Sequence, residues 1–329
     1  MRVLALLAPA VLIALYAAAP VRAPVNVTVY WEPGRYGGWP ANHGIWRWGN
    51  EIVVGFTETT YVENVKGHVN SKDLAYDRQA RSLDGGITWH VEPMRTLTPF
   101  QKGGAEARTL TEGMDFAAPD FALMFRFGDN SKGPSWFYYS TDRCRKWKGP
   151  FSFPSLGQKG ISARSEYLVV DNQRLLLFAS AAKANGREGR PLMARTEDGG
   201  VSWKLVSWIA PEPEGYAIMP STVRISPTEL FTAVRRKEGG AAWIETYRST
   251  DSGASWKYES RAAPTTGVGS NPPALIRLAD GRLCLMSGYR GVPYSIRARL
   301  SADNGKSWGP EIILRQDGTD TDLGYVRAT

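Results

Sequence analysis

Ser82-Leu83-Asp84-Gly85-Gly86-Ile87-Thr88-Trp89 is the stretch that decides the fold, because variants of it return four times. The pattern is a hydroxyl residue, an Asp, a Gly, a second hydroxyl residue and a Trp. It recurs at residues 196–203, 249–256 and 301–308. A worn copy at 140–147 has Cys144 where the glycine belongs and Lys146 where the second hydroxyl belongs. The shared acids Asp84, Asp142, Asp198, Asp251 and Asp303 step by 58, 56, 53 and 52 residues. A near-constant step of about 40 to 50 residues, slightly stretched here, marks a solenoid, an array or a propeller.

Each copy has a physical reason to be a turn. The Asp side chain can cap the amides of a tight turn, and Gly two residues on supplies a positive φ. The alternation before it, as in Trp243-Ile-Glu-Thr-Tyr-Arg-Ser249, reads as a strand leading into that turn. The Trp is expected to plug into the flank of its own repeat. These Asp residues are therefore turn formers, not catalytic acids.

The remaining order within a unit is an apolar strand, a tight turn, a second strand, a loop, a third strand and the Asp turn. Residues 168–178 around Asp171-Asn172, 223–234 around Ser226-Pro227 and 274–286 around Asp280-Gly281 illustrate it. Four strands per unit, set radially, make a propeller blade. A β-helix needs shorter repeats, and a sandwich does not repeat its turn sequence. Residues 26–31 alternate like a strand, 32–39 read as a Gly- and Pro-rich connection, and 45–58 read as two strands around Gly49-Asn50.

Composition bounds the rest. The chain has 329 residues, 43% of them hydrophobic, enough for one large repeat domain. Its first residues are Met-Arg, an apolar run over 3–19 broken by Pro9, then Val21-Arg22-Ala23. That reads as a signal peptide over residues 1–23, implying a secreted or periplasmic protein, with an uncleaved anchor as the alternative. The formal charge of +8 suits either acidic partners or a generally basic surface. No basic run interleaved with aromatics points to nucleic acid. Cys144 and Cys284 fall in distant repeats, so no disulfide is expected. No CxxC or HExxH occurs, so no metal or other cofactor is expected.

These motifs resemble the Asp-box (BNR repeat) sialidase-like superfamily over roughly residues 40–329. The resemblance implies an all-β, six-bladed propeller spanning 24–329 with five Asp boxes, acting as a monomer. Residues 317–329 then look like the opening of a sixth blade, with 323–327 as its innermost strand, and the sequence stops there. A truncated product with an open edge is the expectation.

Asp boxes do not by themselves specify activity, so the site must be argued separately. If they join third to fourth strands, they share one face and ligands bind on the other. That second face is expected to gather residues 39–43, 115–120, 162–166, 212–221, 267–271 and 317–325, with loops 58–73, 183–190, 235–240 and 287–294. Sialidases hold a substrate carboxylate with three Arg and use a Tyr nucleophile activated by a Glu, with an Asp as acid/base. The tyrosine suits an anomeric centre that already carries a carboxylate. On that resemblance Arg235 and Arg290 correspond to two of the arginines and Tyr325 to the nucleophile. The first arginine's place instead reads Asn42-His43-Gly44-Ile45, and the Glu partner's place reads Met219-Pro220. Glu63 and Asp73 are the nearest candidates for the acid.

From the residues themselves, Arg164 and Arg190 can add anion contacts through their planar forks. Glu166 or Glu188 can serve as a carboxylate acid or base. His43 and His68 can transfer protons near neutral pH, whereas His90 follows the first Asp-box Trp and falls on the wrong face. The assignment is Tyr325, Glu188 and His43 as catalytic groups, with Arg164, Arg235, Arg290 and Asn42 binding substrate. The leading function is a secreted glycoside hydrolase acting on a terminal anionic sugar of a glycan or oligosaccharide. A non-catalytic glycan-binding propeller and a polysaccharide lyase are the alternatives.

Overall fold

A computed structural model describes residues 25–63, 75–94 and 106–329. The expected signal peptide, His68 and Asp73 lie outside the described residues. No α-helix occurs among the described residues, and no helix there is long and apolar enough to cross a membrane.

Among the described residues, twenty-one strands form five antiparallel sheets arranged as a β-propeller. Blade one holds β1 (Arg35–Gly38), β2 (Gly44–Trp48), β3 (Glu51–Thr60), β4 (Tyr76–Ser82) and β5 (His90–Pro93). Blade two holds only β6 (Ala122–Phe127), β7 (Ser135–Ser140) and β8 (Lys148–Phe153). Blade three holds β9 (Ile161–Ser162), β10 (Tyr167–Val169), β11 (Leu175–Ala182), β12 (Glu188–Thr196) and β13 (Lys204–Trp208). Blade four holds β14 (Tyr216–Arg224), β15 (Leu230–Glu238), β16 (Ala241–Ser249) and β17 (Lys257–Ala263). Blade five holds β18 (Ala274–Arg277), β19 (Leu283–Tyr289), β20 (Tyr294–Ser301) and β21 (Ile312–Gly318).

Each of the five Asp boxes joins the last two strands of its blade, which is the third-to-fourth connection where a blade has four. In the first, Thr88 N–H and Oγ1 donate to Asp84 at 2.9 and 2.6 Å, and Gly86 N–H donates to Ser82 Oγ at 2.8 Å. The worn copy keeps this frame. Cys144 takes up the left-handed conformation at φ 64°, and its N–H still reaches Ser140 Oγ at 2.9 Å. Lys146 loses the side-chain bond and retains the backbone one to Asp142, also 2.9 Å.

From the second box onward, the Trp does something the repeat alone did not reveal. It enters the preceding blade, not its own. Trp203 of blade three packs on Phe125, Phe137 and Phe153 of blade two. Trp256 of blade four meets Phe178 of blade three, and Trp308 of blade five meets Phe231 of blade four. Their indole N–H groups donate to Ser207 and Ser260 of those same preceding blades. Trp147 likewise stacks on Trp46 and donates to Gln79, both in blade one. A Trp buries a large apolar area and needs one polar partner, so a groove between two blades with a hydroxyl or amide at its end suits it.

Three further readings need correction. Residues 26–31 form no strand, and the supposed connection at 32–39 contains β1, which pairs with the far end of β3. Residues 115–120 lie on the Asp-box face: Met114 and Phe116 donate to Gly199 and Asn172, beside the third Asp box. Among the described residues, blade two consequently has no inner strand. The exposed edge of β6 is met instead by side chains from blade three, with Phe125 N–H donating to Ser165 Oγ at 3.1 Å and Leu123 N–H to Tyr167 Oη at 3.3 Å.

Inner strands are interrupted at one common level. β1 and β2 both pair with β3 and are separated by a 3-10 turn at Pro40–Asn42. β9 and β10 both pair with β11, and β14 bulges between Ile218 and Ser221, where Met219 has φ 53°. Residues 319–329 form no strand; they cross between blades five and one, where Ala41 N–H donates to the Tyr325 carbonyl at 3.1 Å. These interruptions open the face opposite the Asp boxes.

Candidate functional site

On that open face Tyr325 lies between two arginines. The guanidinium carbons of Arg235 and Arg290 each sit 5.7 Å from the centre of its ring, and Arg235 Nη1 donates to its hydroxyl at 3.4 Å. Gly324 must precede it: with φ 95°, it lets the chain pass so close that a Cβ there would fall 2.4 Å from Asn271 Oδ1. Tyr325 itself holds φ 55°, a strained conformation for a bulky residue. Strain of this kind persists only where the surroundings enforce it.

Arg235 projects from β15 and is buried. Its Nε donates to Ser270 Oγ at 2.6 Å and its Nη2 to the Gly269 carbonyl at 2.9 Å, and Tyr216 flanks it at 5.6 Å. None of these partners is a carboxylate. Arg290 follows β19, and its Nε and Nη2 are buried without a hydrogen-bond partner. Burial, then the nearby Arg235 charge, push its pKa down. Burial pushes the Tyr325 hydroxyl up, but Arg235, Arg164 and Arg290 together outweigh it, so its pKa falls below the ordinary tyrosine value. Asn271 is fully buried, and neither its amide nitrogen nor its oxygen has a partner.

Beside Tyr325 opens a cavity of about 340 Å³, lined among others by Trp39, Asn42, Arg126, Phe127, Arg164 and Tyr325. Arg164 lies between β9 and β10 and lies over the ring of Phe127 at 4.4 Å. It donates to Asn42 Oδ1 at 3.0 Å and pairs with Glu188 at 3.1 Å. Glu188 also accepts from Ser162. Arg164, Asn42 and Tyr325 are thus brought to one cavity, Arg235 and Arg290 stand behind the tyrosine, and Glu188 reaches the cavity through Arg164.

His43 is placed differently. It is fully buried under the cavity, its Nε2 2.9 Å from Thr57 Oγ1. Burial, then Arg126 and Arg327, push its pKa well below the usual histidine value. A neutral, enclosed imidazole does not exchange protons with a ligand near pH 7. Arg190 stacks on Trp208 at 4.0 Å, and Glu166 is engaged by Arg327 and the Thr222 N–H. Neither lines the cavity.

Several site residues escaped the sequence reading. Arg126, at the end of β6, reaches the cavity because blade two lacks its inner strand, and it pairs with buried Asp77 at 2.8 Å. Burial raises the Asp77 carboxyl above its ordinary range despite Arg126. Tyr36 and Trp39 gather around Asp322, to which the Trp39 indole donates at 3.3 Å. Ser270 and Asn271 belong to a loop already expected on this face, but nothing in their residue types announced their contacts.

Comparison with known proteins agrees with this architecture. A crystal structure of a protein of unknown function from Dyadobacter fermentans superposes with a TM-score of 0.68 at 23% identity, covering 92% of this chain and 89% of that one. An alpha-L-arabinanase from Penicillium chrysogenum, complexed with arabinobiose, gives 0.56 at 15% identity over 87% and 85%. The Hadza microbial sialidase Hz136 gives 0.55 at 15% identity, over 85% of this chain and 59% of that one. No curated protein matches this chain. At these identities the likeness establishes the fold alone. The family model for the BNR repeat-like domain matches residues 124–326, and on that match the chain belongs to the BNR repeat-like family of sialidase-like propellers.

Proposed function

We propose that this protein is a secreted, sialidase-like glycoside hydrolase that acts on a terminal anionic sugar. The reading rests on one observation: Arg235 and Arg290 flank Tyr325, and among the described residues neither guanidinium forms a hydrogen bond or ion pair with a carboxylate. A buried, uncompensated guanidinium pair is costly unless an anion completes it, and a planar carboxylate suits its fork. In this reading the sugar carboxylate binds Arg235 and Arg290, and Arg164 and Asn42 hold its hydroxyl groups in the cavity. Tyr325, its hydroxyl acidified by three arginines, attacks the anomeric carbon as the bond to the glycosidic oxygen breaks. The tyrosine's proton ends on that leaving oxygen, and water then displaces the tyrosine to release the sugar. Glu188 supplies the carboxylate, while His43 only supports Arg126 from below. A sixth blade, begun by residues 319–329 at the centre, belongs to the same proposal.

A second reading, a glycan-binding propeller without catalysis, is favoured by Met219-Pro220 standing where sialidases place the glutamate that activates the tyrosine. A screen of fluorogenic glycosides, including sialosides and uronosides, tests both. Turnover is expected, with Arg290→Ala raising KM about tenfold or more, as loss of a charged hydrogen bond implies. Binding without turnover selects the second reading. Equal turnover in both proteins overturns the site.

A further inference from the structure

The inner strands that open one face with interruptions close on the other with arginines. Arg47 in β2 and Arg224 and Arg277 at the ends of β14 and β18 all lie at the Asp-box level of their blades. The register shows this directly: Arg224 pairs with Leu230 and Leu230 with Ser249, the first residue of an Asp box. Arg277 reaches Ser301 through Leu283 in the same way, and Arg47 reaches Ser82 through Ile52. Inner strands of a propeller converge on its axis, so these side chains converge too. They line a cavity of about 520 Å³, together with Arg327, Glu166, Trp46 and Trp48.

Four arginines line it against one acidic side chain. Glu166 is taken up by Arg327. Among the described residues, Arg47, Arg224 and Arg277 hydrogen-bond only to backbone carbonyls, of Gly49, Pro227 and Ile225, at 2.9, 3.1 and 3.2 Å. Arg224 Nη2 and Arg327 Nε are buried with no partner. Donors that are removed from water and left unpaired carry a penalty that an incoming acceptor relieves.

We propose that this axial cavity binds an oxyanion of the sulfate or phosphate class, at the opposite end of the propeller from Tyr325. Forks arriving from three blades and the central segment suit a tetrahedral group whose oxygens diverge, whereas a planar carboxylate engages one fork at a time. Half-buried Trp48 offers an apolar wall for a sugar ring carrying that group. The site does not depend on the function assigned to Tyr325.

The test is calorimetry on the full chain at low salt with inorganic sulfate, inorganic phosphate, glucose 6-sulfate and glucose. Saturable binding of the anions and none of glucose is expected, weakened by added chloride. Arg224→Ala and Arg277→Ala should each weaken it about tenfold or more, and Arg277 is exposed enough to be replaced without disturbing the core. Tighter binding of glucose 6-sulfate than of sulfate identifies an esterified sugar as the ligand, and equal binding a free ion. No saturable binding overturns the site. So does binding that survives Arg224→Ala and Arg277→Ala but is lost in Arg290→Ala, because the anion then sits beside Tyr325.

Discussion

The indole of Trp203, in the Asp box of blade three, stands edge-on to Phe153 of blade two, with ring centres 5.2 Å apart. It belongs to a cluster that includes Phe125 and Phe137 from that same neighbour. Trp203→Ala therefore empties an interblade groove and also removes the indole's hydrogen bond to the Gly200 carbonyl of its own turn. A loss of about 3–5 kcal/mol is expected, the range for deleting a buried Trp. Thermal unfolding of the variant checks it; a change under 1 kcal/mol would sink the interblade role.

Tyr325 should ionise below the ordinary tyrosine value near 10, because Arg235, Arg164 and Arg290 favour its phenolate despite burial. The phenolate absorbance difference between wild type and Tyr325→Phe isolates its titration from the other tyrosines. Arg235→Ala should move that titration upward by removing a cation. A Tyr325 titration at or above 10 in the wild type contradicts the arrangement.

His43 carries a depressed pKa in the folded state, caused by burial and then by Arg126 and Arg327. Below its unfolded value of about 6.5 the unfolded chain binds a proton that the folded chain refuses, so stability falls as pH falls. The slope from this one group is about 1.4 kcal/mol per pH unit until the folded value is reached. Denaturant unfolding of wild type and His43→Gln at pH 7 and pH 5 measures it. The variant should lose less stability between the two; equal losses refute the assignment.

Cys144 and Cys284 are both buried as free thiols, and burial pushes both pKa values up. A thiolate is the reactive form, so a thiol reagent at pH 8 should label neither residue in the native protein. Both should react after denaturation. Rapid native labelling at Cys144 means that the second Asp box opens.

Much of this fold was legible because the Asp box is a local device. Asp84 and Thr88 satisfy each other within one turn, so the sequence reports the turn and the period counts the blades. What the Trp touches is another matter, since the partner lies 50 residues upstream for Trp203 and 78 for Trp256, and no spacing rule names Phe153 or Phe178. The lost inner strand of blade two was hidden for a similar reason. Its edge is satisfied by the hydroxyls of Ser165 and Tyr167, two residues ordinary enough to belong anywhere. At the site, Arg235, Arg290 and Tyr325 could be found because they fall at recurrent places in the blade. Arg126 could not, because its reach depends on that absent strand, and the enclosure of His43 depends on Thr57, Asp77 and Arg126 from three strands.

The interblade tryptophans give the ring a direction. Each blade carries the key and its predecessor carries the lock, so a blade's flank is completed only by the residues synthesised after it. Damage to one Asp box should therefore be felt upstream, in a blade whose own sequence is intact. Hydrogen exchange in a Trp256 variant would rise first in blade three, around Phe178, and not in blade four. Trp89, half-exposed at the head of the series, turns instead to its own Asp box, where its indole donates to the Gly86 carbonyl at 2.9 Å.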